Sequence, residues 1–141
     1  MRNKLVKTLD IVLSARLVHA DVEQIKERTH KVCDPHLALS TLGSARPTIN
    51  NPVDVAVELA MVDAAAALAK DCLDEIEKLQ RAVAKTIMQI EVLEALGATV
   101  IPPEDIEQLE EQFQQCGLRL QELEATRQLT ETRSNALVGQ L

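Results

Sequence analysis

The chain has no tryptophan, no tyrosine and one phenylalanine, Phe113, in 141 residues. Large strand-favouring side chains are therefore nearly absent, and packing must rest on Leu, Val, Ile, Ala and Met. Glycine and proline are also scarce, with four and five residues. Few turns can be built from so few breakers, which excludes a fold of many short strands. Three cysteines at positions 33, 72 and 116 show no framework spacing, so a disulfide scaffold is excluded as well. No apolar run approaches the ~20 residues of a membrane span, and Lys7, Asp10 and Arg16 interrupt any signal-like core at the start. These absences point to a cytoplasmic protein.

What is present favours a few long helices. The net charge is −7, unevenly spread: residues 1–33 hold seven cations against four anions, and the remainder eight against eighteen. An acidic body argues against a general nucleic-acid binder, whose footprint is a concentrated basic face. The basic start can be matched within the chain by the acidic remainder, and the acidic 104–111 face and the basic N-terminus can steer partners.

Segment one covers residues 3–33, with Leu5, Leu9, Val12, Leu13, Leu17, Ala20, Ile25 and Val32 at helical spacing. Asp34-Pro35 is expected to end it, because the residue before proline is pushed out of the helical region. A short helix or loop over 35–51 follows, closing on GSARPTINN. Segment two then opens with Asn51 as cap, Pro52 at the first position and Asp54 three residues on. It has no Gly or Pro until Gly97, which predicts one helix over 52–96. Every seventh residue from Val55 is apolar: Val62, Ala69, Ile76, Val83 and Ile90. Segment three runs over 103–138 from Pro103, with Glu104, Asp105 and Glu107 suited to the positive end of the helix dipole. Its apolar seam weakens at Arg127, Thr130 and Ser134, which predicts exposed or frayed last turns, or turns completed by another chain.

The fold expected is all-α: an elongated, coiled-coil-like bundle in a single domain of three main helices, built on an antiparallel hairpin. The hairpin seam would be Ile76, Leu79, Val83 and Ile90 against Ile106, Leu109, Phe113, Leu120 and Leu123.

Two features carry functional weight. Residues 53–69 are apolar at fourteen of seventeen positions, the exceptions being Asp54, Glu58 and Asp63. A helix apolar nearly all round is buried nearly all round. One chain of this size hardly surrounds a helix, so Val55, Leu59, Val62, Ala65, Ala66 and Ala69 are expected to bind a second copy or a helical partner. The second feature is THKVCDPHL, in which His30, Cys33 and His36 stand three apart. That is a possible metal or thiol site, but it lacks the second ligand pair that zinc sites usually show. There is no GxGxxG, Walker loop, HExxH or Glu-x-x-His pair. The functional expectation is a non-enzymatic adaptor, chaperone-like or regulatory assembly protein without cofactor. The alternatives are a small metal- or thiol-dependent protein using His30, Cys33 and His36, and a nucleic-acid-associated regulator acting through its basic first helix.

Overall fold

The computed structural model describes residues 1–41 and 52–141. Three helices account for nearly all of them: α1 over Arg2–Thr41, α2 over Pro52–Ala95 and α3 over Pro103–Gly139, with no strand among the described residues. The protein is all-α. The loop expected over 43–51, Asn51 and the Asp54 side chain lie outside what is described.

The end of α2 is made by glycine, as expected. Gly97 has φ 88°, a conformation that costs a glycine little and other residues more. Its amide donates to the Glu94 carbonyl at 3.0 Å, and that of Ala98 to the Leu93 carbonyl at 3.0 Å. These two bonds close the helix as a Schellman cap. α3 then begins on Pro103, whose missing N–H belongs to the group that has no intrahelical partner in any case.

The first helix departs from expectation. It does not stop at residue 33 but continues to Thr41 with Pro35 inside it. Proline removes one backbone bond and opposes the helical conformation of its predecessor. Packing on both sides of it outweighs that local preference: Cys33, fully buried, and Leu37, one turn later, both join a cluster with Val55, Leu59 and Leu137.

The chain divides into two compact units, each drawing on all three helices. The first comprises Met1–Leu17 and Asp71–Leu123, the second Val18–Lys70 and Glu124–Leu141.

In the first unit, α2 and α3 form the antiparallel hairpin. Thr86 Oγ1 lies 2.9 Å from Gln112 Oε1, while Cys72, fourteen residues earlier, reaches the Arg119 carbonyl at 3.0 Å. Val83, Ile87, Ile90 and Leu109 make its core cluster, with Leu5 of α1 and Ile101 and Ile106 packed against it. Of the expected seam, Ile76, Val83, Ile90, Leu109 and Leu123 are buried, while Leu79, Ile106, Phe113 and Leu120 are half-buried. Lys4 pairs with Glu110 at 3.7 Å and Arg16 with Glu77 at 3.3 Å, so part of the basic start is matched inside the chain.

In the second unit, α3 does not fray where its seam turns polar. Thr130 and Ser134 are buried and the helix continues to Gly139. Thr130 donates to the Thr126 carbonyl at 2.7 Å, and Thr29 of α1 to the Ile25 carbonyl at 2.6 Å. Since Thr29 has one hydroxyl hydrogen, Ser134 is the donor in the buried Thr29–Ser134 bond that ties α1 to α3. Hydroxyls that back-bond to the preceding turn are satisfied without water, which is how these positions enter a core.

Candidate interaction surface

Both sequence features land on the second unit. Val55, Leu59, Val62, Ala65, Ala66 and Ala69 are buried, Val62 and Ala69 fully so. They are core residues of the chain itself, Val55 and Leu59 in a cluster with Cys33 of α1 and Leu137 of α3, so the association face expected from them is not exposed in the chain. Every seventh residue from Val55 to Ile90 points inward, so these side chains are already enclosed. The alanines among them leave room for the neighbouring helices to approach closely.

The apolar character of 53–69 is not used up by that burial. The opposite side of α2 carries Ala56, Val57, Ala60, Met61, Ala64, Ala67 and Leu68, all exposed. Leu68 retains 63% of its accessible surface and Val57 52%. The face spans about 18 Å at 1.5 Å per residue, and none of its seven residues is polar. Its borders are charged. On one side Asp63 Oδ1 meets His30 Nε2 at 2.7 Å. On the other, Arg133 of α3 reaches toward Glu58 at 4.0 Å, with Nη1 lying 3.4 Å from the Met61 sulfur. An exposed apolar patch with a polar rim is the usual form of a protein-binding surface.

The motif THKVCDPHL does not assemble into a ligand set. Because α1 is continuous through Pro35, His30 and His36 are six residues apart on one helix and project about 120° apart around its axis. His30 is occupied by Asp63 and, through Nδ1, stands 3.6 Å from Asp34. Cys33 is turned into the core cluster. Among the described residues no group of three His, Cys, Asp or Glu is placed to hold a metal ion.

The thiols are also poor nucleophiles as they stand. Burial raises Cys33, and the Asp34 carboxylate adds to the effect. Burial likewise raises Cys72, with Glu122 contributing, and pushes Cys116 up to about 11. A reactive cysteine needs the opposite, a thiolate held by positive surroundings.

A shallow cleft of about 390 Å³ lies in the first unit, lined by Met88, Gln89, Val92, Leu93 and Asp105. Its walls are largely apolar, with one amide and one carboxylate. No described helix is long and apolar enough to cross a membrane.

The sequence reading missed the exposed side of α2 as a separate surface. The signal was there: residues 57, 61, 64 and 68 form a second stripe at helical spacing, half a turn from the first. The chain matches no family model, no curated protein and no solved structure.

Proposed function

We propose that the protein is a non-enzymatic association module, and that the outer face of α2 in the second unit docks the same face of a second copy. The observation that carries this reading is the exposed, uncharged stripe Val57, Met61, Ala64 and Leu68. Burying such a face is favourable by roughly 25 cal/mol per Å² removed from water, and nothing polar on it needs a partner.

The spacing of the stripe supports a copy of the same chain as the occupant. Its intervals of four, three and four residues read the same in both directions. An antiparallel twofold therefore sets Met61 against Ala64 of the copy and Val57 against Leu68, large side chains opposite small ones where the approach is closest. That is the self-complementarity an isologous dimer requires.

Light scattering after size exclusion tests it. The wild type should run as a dimer that dissociates on dilution, and Met61→Asp with Leu68→Asp should run as a monomer with unchanged helix content. Charge at the buried Val62 should instead unfold the second unit. A wild-type protein that stays monomeric at the highest accessible concentration would remove this proposal.

A further inference from the structure

The hairpin end of the first unit keeps apolar side chains in water. Leu96 and Val100 retain 79% and 76% of their surface, the two most exposed large hydrophobic side chains among the described residues. Val92 and Met88 continue the exposure along α2 at intervals of four, so that Met88 to Leu96 spans about 12 Å. The shallow cleft opens here too, with Met88, Val92 and Leu93 among its walls and Asp105 as its one carboxylate.

The same end is acidic. From residue 86 to residue 118 the chain has seven carboxylates and no cation. Five of them, Glu91, Glu94, Glu104, Asp105 and Glu107, lie within two turns of the connection between the helices. Among the described residues, ion pairs of the first unit take up Glu77, Glu110 and Glu122 and none of these five. The carboxylates at the start of α3 suit the positive end of its dipole. Glu91 and Glu94 do not: they sit in the last two turns of α2, where the dipole favours cations and the last turn holds no basic residue. Folding stability accounts for neither these two glutamates nor the exposed Leu96 and Val100. The cations around this end do not cancel the charge. α1 begins beside it, with Leu5 packed on the cluster of Ile90 and Leu109, and brings the terminal amine, Arg2 and the Lys4 already paired with Glu110. On α2, Lys85 adjoins Met88 at the inner end of the exposed line, but Leu96 lies about 16 Å further along the axis and Arg81 is further still. That exceeds the ~8 Å over which charges act in physiological salt. Five unpaired carboxylates therefore stand against the amine and Arg2.

We infer that the hairpin end of the first unit is a second docking surface, and that its partner is a short amphipathic helix with Lys or Arg beside its apolar stripe. The stripe covers Val92, Leu96 and Val100, and its cations meet the carboxylates around them. The apolar residues supply area to bury, while the unpaired carboxylates select the partner's charge and steer its approach. A second copy brought end to end sets carboxylates against carboxylates, and an anionic membrane is repelled for the same reason. This surface lies on a different unit from the outer α2 face, and the inference does not depend on that face.

The probe is a labelled helical peptide with Leu along one face and Lys beside it, compared with the same peptide carrying Glu for Lys and with one carrying Ser for Leu. Anisotropy should show the Lys–Leu peptide binding at least about tenfold more tightly than either control, with affinity falling as salt is raised. Leu96→Asn should weaken it about tenfold with unchanged circular dichroism, because the side chain is exposed. Glu91→Gln with Glu94→Gln should weaken it several-fold and yet melt no lower than the wild type, since negative charge is removed from the C-terminal end of a helix. Met61→Asp, on the outer α2 face, should leave peptide binding unaltered. The inference is overturned if the Lys–Leu peptide does not bind, if either control binds as well, or if Leu96→Asn or the double glutamine variant leaves its affinity unchanged. It is equally overturned if Leu96→Asn converts an oligomer to monomer, the sign of a second copy at this end.

Discussion

The two units use the same three helices but different core chemistry. The first is filled by Ile76, Val83, Ile87, Ile90, Leu109 and Leu123, large side chains that meet across the hairpin seam. The second has Ala65, Ala66 and Ala69 beside Val55, Leu59 and Val62 on α2, and Thr29, Thr130 and Ser134 beside Val22, Ile25 and Leu137 on α1 and α3. Large aliphatics remove more apolar surface from water per residue. Small and hydroxylated residues gain less, but they let helices approach closely and add a directional bond between α1 and α3. The unit with the smaller side chains is also the one whose α2 is apolar on its outer face. Its α2 is apolar on both its internal and its external face.

This contrast can be broken most forcefully by truncating matched, fully buried residues. Ile90→Ala in the first unit should cost roughly 2–5 kcal/mol, and Val62→Ala in the second measurably less, since fewer methyl groups are lost beside alanines. Urea unfolding followed by circular dichroism measures both, and equal losses would show that the two cores are equivalent.

A smaller effect sharpens the role of the polar layer. Ser134→Ala removes the donor to Thr29 and should cost about 1 kcal/mol, whereas Thr29→Val combined with Ser134→Ala should recover most of that loss. A double variant less stable than the single would show that the hydroxyls contribute more than mutual satisfaction.

The smallest effect has the opposite sign. Gly117 lies inside α3 in the first unit, and a Cβ added there meets nothing within 4 Å. Gly117→Ala should therefore raise stability by up to about 1 kcal/mol, through the gain in helix propensity. A loss in the thermal melt would point to a close approach that the structure does not contain.

The start of α3 at Pro103, the end of α2 before Gly97 and the inward heptad from Val55 to Ile90 could all be read from the residues, because each depends on local backbone chemistry or on a strict period. The continuation of α1 through Pro35 could not. Locally proline opposes it, and only the burial of Cys33 and Leu37 on either side reverses the balance. The same limit applies to faces. Helical spacing grouped Leu5, Leu9, Val12, Leu13 and Leu17 on α1, yet of these Val12 alone is buried, beside Thr8 and Ala15, while Leu9, Leu13 and Leu17 are exposed.

The side chains expected to bind a partner are enclosed by the chain itself for a related reason. The sequence marks 53–69 as apolar all round but does not say which half the chain covers with its own helices. Helical class, helix ends and heptad register are set by interactions within a few residues, so the sequence by itself determined them. The choice of inward and outward faces depends on where three long helices meet, a sum of distant contacts, and only the tertiary structure decided it.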